Sequence, residues 1–312
     1  MASTTGNLNF LDASARGIGQ VIFLNSPASG GILLGGMAFG DPYLATMATV
    51  GTLTATTTAH LTGLDAKDGL LGYNGCLVGC AMSVFGPASV LACTTSTIVG
   101  AAATPFVAVS LKELMGQVPQ WTFAFNAVAL TTLLRTRPLL PPSGSMEDQT
   151  SEVAQTVVSK LDLAVAPLTG ISQIFVVESA LSGACIVGGI AAYSPGLAGH
   201  AIMGSSIGML VGAFTADSSE LAMGLWGFNP ALTSMAVGTF FVHSVPTMAL
   251  SAGGAAATAA VFGAMKTAFG AYGSPCLTLP FCFTMSALYL LRDNIPSLML
   301  ASSPHSPEKN TA

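Results

Sequence analysis

Two stretches of this 312-residue chain repeat one pattern. Gly69-Leu70-Leu71-Gly72-Tyr73-Asn74-Gly75-Cys76-Leu77 returns as Gly224-Leu225-Trp226-Gly227-Phe228-Asn229-Pro230-Ala231-Leu232. Both read Gly-Leu-x-Gly-aromatic-Asn-x-x-Leu. Self-similarity about 155 residues apart means two copies of one structural unit. Tyr73 and Leu77 stand four residues apart, as do Phe228 and Leu232, so on a helix each pair shares a face. A ring beside a branched aliphatic side chain makes a flat apolar surface, and two such surfaces facing each other make a slot. The same residues also suit ordinary core packing.

Polar groups recur at matching places. Gln20 and Gln173 lie inside apolar runs, with Gln20-Val21-Ile22-Phe23-Leu24-Asn25 aligning on Gln173-Ile174-Phe175-Val176-Val177-Glu178. Phe23 and Val176 are thereby equivalent and join the candidate slot. The amide carbonyls are able to accept hydrogen bonds from a solute or from a neighbouring helix. Glu178 is the one acid in such a run, which reads as a functional carboxylate or as a helix cap. Thr122 and Thr278 recur in Pro119-Gln120-Trp121-Thr122-Phe123 and Pro275-Cys276-Leu277-Thr278-Leu279. Each hydroxyl donates and accepts, to a solute or to its own helix. Asn74 and Asn229 suit a turn before each signature helix or, alternatively, a contact with solute. His60, His200 and His243 share no spacing and read as structural. Cys76 and Cys80 share a helix face, but without a further ligand at metal-binding spacing they read as packing. No metal, cofactor or nucleophile–base pair is expected, so an enzyme is not.

The elements that must hold these residues follow from composition. Only 7% of residues are charged and 51% are hydrophobic, against roughly 25% charged in a soluble domain. Mean hydropathy is +0.68. The chain is therefore read as an all-α polytopic membrane protein embedded in a lipid bilayer. Its apolar runs lack the alternation of barrel strands, and its 35 glycines allow close helix approach. With a net charge of −5 and no basic cluster, nucleic acid is not an expected partner. Met1 to Asp12 lacks a basic start followed by an apolar core, so no cleaved signal peptide is expected.

A Pro-, Ser- and acid-rich stretch divides the chain. The reading is a first repeat over 1–137, a linker over 138–160, a second repeat over 161–302 and a disordered tail over 303–312. Each half is expected to hold about five spans and one short piece interrupted by proline. An odd number of crossings makes the second repeat enter from the opposite side. Such an inverted repeat puts a site near the membrane midplane, at paired, proline-interrupted segments.

These elements, taken in order, resemble the urea transporter family. The likeness covers about residues 15–292. It rests on Asn25-Ser26-Pro27-Ala28-Ser29-Gly30, on the Gly72-Tyr73-Asn74 signature with its second copy, and on the paired Thr motifs. Ala124 stands where the first Thr motif has Pro in the pattern, and Cys282 stands opposite Asn126. The resemblance implies a homotrimer in the cell membrane, a pore in each protomer, two re-entrant half-helices and passive urea flux. Urea is planar and neutral, with four N–H donors and one carbonyl. It would need a flat slot for its faces and acceptors along its edges. The slot set is Phe23, Tyr73, Leu77, Val176, Phe228 and Leu232; the polar set is Gln20, Thr122, Gln173, Glu178 and Thr278. The alternatives are a channel for another small amide or ammonia, and an ion-coupled transporter. The second lacks paired intramembrane acids.

Overall fold

The computed structural model describes residues 2–136 and 158–312, and the side chains of all these except 2–8 and 136. The expected linker over 138–160 falls almost wholly outside them. The described part is helical, with thirteen α-helices.

The first half runs α1 (Ala2–Gln20), α2 (Pro27–Gly40), α3 (Pro42–Leu61), α4 (Tyr73–Phe85), α5 (Val90–Met115) and α6 (Phe123–Thr136). The second runs α7 (Lys160–Ser172), α8 (Ala180–Tyr193), α9 (Pro195–Gly212), the short α10 (Ser218–Ala222), α11 (Phe228–Phe240), α12 (Val245–Gly270) and α13 (Leu279–Leu291). Apart from α10, each element of the second half has its counterpart in the first.

Local chemistry explains the boundaries. Pro27, Pro42 and Pro195 each open a helix. Proline suits that position because its missing N–H would have no partner there anyway. Ser26, Asp41, Ser179 and Ser194 cap the following helices by accepting a backbone N–H. Helix α3 carries many threonines, and most of their hydroxyls are turned back onto the helix, Thr56 being buried without a partner. Thr46, Thr49, Thr52, Thr54 and Thr58 each donate to the carbonyl four residues back. That bond hides the polar group within the helix.

Pairwise packing repeats as well. Helix α4 lies between α3 and α5, and α11 lies between α9 and α12. Helices α2 and α8 cross between the halves, as do α6 and α13. Gly30 and Gly183 permit the tightest contacts. A Cβ at Gly30 would fall 1.8 Å from the Ala15 carbonyl oxygen, and one at Gly183 would fall 1.9 Å from that of Leu168. One continuous apolar core joins the halves, from Ile22 and Leu77 to Leu232 and Phe281.

Two helices, α5 and α12, are long and apolar enough to cross a membrane alone. A third crossing is available if Lys160–Phe175 and Ala180–Tyr193, bent by 77°, form one broken span. Five uninterrupted spans per half are thus not found among the described residues. The other helices are too short or too polar by themselves and depend on their neighbours.

Residues 303–312 differ from the expected disordered tail. Asn310 Nδ2 donates to the carbonyls of Gly238, Thr239 and Phe241 at 2.8–3.1 Å. Glu308 accepts from Ser194 Oγ at 2.6 Å and from the Gly196 N–H. His305 stacks on Tyr193 with ring centroids 5.1 Å apart. The polar composition that suggested disorder is used to satisfy the open end of α11 and the start of α9.

Candidate functional site

Among the described residues, four non-glycine residues have positive φ: Phe23 at 67°, Trp121 at 45°, Val176 at 62° and Leu277 at 49°. They form two repeat-equivalent pairs, Phe23 with Val176 and Trp121 with Leu277. This conformation costs an ordinary residue about 1–2 kcal/mol, and for β-branched Val176 it is a marked outlier. Paired strain at equivalent positions marks a break in the chain before each of α6, α8 and α13 and after α1.

Directly after two of these breaks come Thr122 and Thr278, at the entrances to α6 and α13. Their Oγ1 atoms lie 2.7 Å apart across a sequence separation of 156 residues. Both are nearly fully buried, at 4% and 3% exposure. Asn126 Nδ2 donates to Thr278 Oγ1 and to the Thr122 carbonyl, each at 2.8 Å. Its Oδ1 accepts the Thr278 N–H at 3.1 Å. Cys282 Sγ lies 3.1 Å from Thr122 Oγ1.

The signature asparagines hold this centre. Asn74 Oδ1 accepts the backbone N–H of Phe125 at 3.0 Å, and Asn229 Oδ1 accepts that of Phe281 at 3.1 Å. Those N–H groups belong to the first turns of α6 and α13, which lack partners within the helix. The asparagines therefore fix the later short helices rather than the turn before their own.

Two cavities reach the threonine pair. The larger, about 830 Å³, is lined by Gln20, Phe23, Tyr73, Trp121, Thr122 and Phe281 among others. The smaller, about 300 Å³, is lined by Gln173, Val176, Phe228, Leu277, Thr278 and Phe125 among others. These two sets are counterparts, position by position, across the repeat. Thr122 lines one cavity and Thr278 the other. Gln20 Nε2 donates to the Asp68 carbonyl at 2.9 Å and Gln173 Nε2 to the Met223 carbonyl at 2.8 Å. Each amide thus spends a donor on the loop before the signature and keeps Oε1 as an acceptor.

The two halves differ in chemistry. Tyr73 Oη donates to the Trp121 carbonyl and accepts from Gln120 Nε2. The corresponding Phe228 has no hydroxyl and packs edge-on against Phe262, with centroids 5.6 Å apart. Near the smaller cavity, Lys266 pairs with Glu220.

Three of the singled-out residues lie elsewhere. Leu77 and Leu232 are each 1% exposed, within the apolar core, and line neither cavity. Helices α4 and α11 are enclosed by neighbours on two sides, so the second position of each stripe is taken up by packing. Glu178 is exposed and lines neither cavity, and Ser179 caps α8 in its stead. Residues not singled out include Asn126, Cys282, Trp121 and His305, the last lining the larger cavity. For Asn126 the available signal was its position four residues after Thr122, which Cys282 shares with respect to Thr278.

Two halves that repeat element by element, with helices long and apolar enough to cross a membrane, fit a membrane protein. The urea transporter family profile matches residues 11–293. Urea transporter 1 of Ovis aries is 30% identical over 327 residues, covering 97% of this chain and 83% of that protein. Urea transporter 1 of Rattus norvegicus is 30% identical over 318 residues, covering 93% and 79%. The chain belongs to the urea transporter family.

Proposed function

We propose that the chain conducts urea passively through a pore within each protomer, running from the larger cavity past Thr122 and Thr278 into the smaller one. The carrying observation is that two cavities lined by equivalent residues end on one pair of hydroxyls 2.7 Å apart. In this reading the repeats are inverted, and the cavities open to opposite sides of the cell membrane. The short helices α6 and α13 act as the half-helices.

The mechanism follows from what urea must give up. Leaving water strips its N–H groups and carbonyl of partners, at several kcal/mol if nothing replaces them. Gln20 Oε1 and Gln173 Oε1 offer acceptors at the two approaches. Phe23, Tyr73, Val176 and Phe228 give apolar surface to the flat faces of the solute, and Leu77 and Leu232 back the two rings. The threonine hydroxyls replace water at the narrowest point. Glu178 is exposed beside the break before α8 and meets solute only outside the constriction. A homotrimer rests on the family likeness.

The test is stopped-flow urea permeability of proteoliposomes. Vesicles with protein should equilibrate urea faster than bare lipid, down its gradient. Ionophores that collapse proton and sodium gradients should leave the rate unchanged. Uptake that vanishes with an ion gradient would favour a coupled transporter instead.

A further inference from the structure

We propose that Asn126 and Cys282 determine specificity at the centre of the pore by fixing the direction of its hydroxyl hydrogens, so that Thr122 and Thr278 face the solute as acceptors only. This rests on the urea-pore reading and goes beyond it by assigning two residues outside the threonine pair.

The argument begins with the amide. Asn126 Oδ1 accepts the Thr278 N–H at 3.1 Å and Nδ2 donates to the Thr122 carbonyl at 2.8 Å. A backbone N–H only donates and a carbonyl only accepts, so these two partners fix which end of the amide is which. Nδ2 must then donate to Thr278 Oγ1, 2.8 Å away. Thr278 has one hydrogen of its own, and the acceptor beside it is Thr122 Oγ1 at 2.7 Å. Thr122 in turn has Cys282 Sγ at 3.1 Å. The direction Asn126 to Thr278 to Thr122 to Cys282 gives every one of these hydrogens an acceptor. The reverse direction within the threonine pair would leave the Thr278 hydrogen without one, in a site 3% exposed. A buried unpaired donor is unfavourable.

Each threonine oxygen therefore receives one hydrogen bond, gives its own hydrogen away, and keeps one lone pair. A centre built this way matches a solute rich in N–H donors on both edges. It matches poorly a planar amide in which a methyl replaces one amino group. The repeat positions of Asn126 and Cys282 are equivalent, yet one is an amide and the other a thiol. This difference gives the chain a start and an end.

The experiment compares urea with acetamide permeability in proteoliposomes, each corrected for bare lipid. Asn126→Leu removes the first donor, and Cys282→Ala removes the last acceptor. Cys282→Ala leaves the Thr122 hydrogen without its acceptor, and Asn126→Leu leaves the direction of the threonine pair unfixed, so in both a hydroxyl hydrogen can turn to a solute carbonyl. Each should lower the urea-to-acetamide ratio roughly 5-fold. Cys282→Ser restores an acceptor and should keep the wild-type ratio. A merely structural role would slow both solutes in proportion. Either Asn126→Leu or Cys282→Ala, folded and with the wild-type ratio, overturns the proposal. If Asn126→Leu does not assemble, the Ala and Ser variants at 282 decide it. Wild-type vesicles that pass no urea would instead sink the pore reading itself.

Discussion

Thr122 Oγ1 and Thr278 Oγ1 lie 2.7 Å apart, each at the start of a short helix from a different half of the chain. Thr→Val keeps the side-chain shape and removes the hydroxyl. Losing about 1–3 kcal/mol of compensation at the top of the barrier slows crossing by roughly 5- to 150-fold. Thr122→Val and Thr278→Val should each slow urea flux without preventing assembly. Because the two hydroxyls share one bond, the double variant should cost less than the sum of the singles. Stopped-flow rates on all three variants check this, and a well-folded double variant with wild-type flux would remove the hydroxyls from the mechanism.

Tyr73 lines the larger cavity and Phe228 the smaller, at equivalent positions of the repeat. Phe228→Ala and Tyr73→Ala should weaken discrimination against N-alkylated ureas. The readout is the permeability ratio of urea to N-methylurea and N,N′-dimethylurea. Wild-type ratios in both variants would show that the rings belong only to the core.

Asn229 is fully buried, and its side chain bonds the Phe281 N–H and the Leu277 carbonyl, both at 3.1 Å. Asn229→Leu leaves both backbone groups unpaired. An unsatisfied buried group costs about 1–3 kcal/mol. The variant should unfold at lower temperature in detergent than wild type, and Asn74→Leu should do the same through Phe125. An unchanged unfolding midpoint in both would mean the half-helix entrances are held by other contacts.

Glu308 makes docking of residues 303–312 sensitive to acid. Burial alone would raise this carboxyl, but hydrogen bonds from Ser194 and Gly196 outweigh it and hold it down at about 2, against an ordinary 4.5. A depressed carboxyl stabilises above its ordinary range, and that contribution is lost as pH falls toward the folded value. Amide exchange in residues 303–312, corrected for the intrinsic rate, should rise as pH drops from about 4.5 toward 2. Glu308→Gln should flatten this dependence. The same acid response in Glu308→Gln would assign it to another group.

The sequence by itself determined the class and the repeat, and most of the site residues it singled out line one of the two cavities. Few charges and long apolar runs require a membrane, because such a chain has too little polar surface for water. The spacing of Gln20 and Gln173, of Phe23 and Val176, and of the two signatures was legible because a duplicated unit repeats its side chains at matched distances. Direction and closure were not legible. Pro27 and Pro42 open helices, and a proline in the sequence does not itself say whether it ends one helix or begins the next. Leu77 and Glu178 carried the right chemistry for the path. Their places were decided by which helix faces the neighbours covered and by which residue took the cap. The contact between Thr122 and Thr278, and the Asn126 amide bonded to both residues, arise where α6 and α13 meet. No local pattern encodes such a meeting, because it depends on the packing of every element between them.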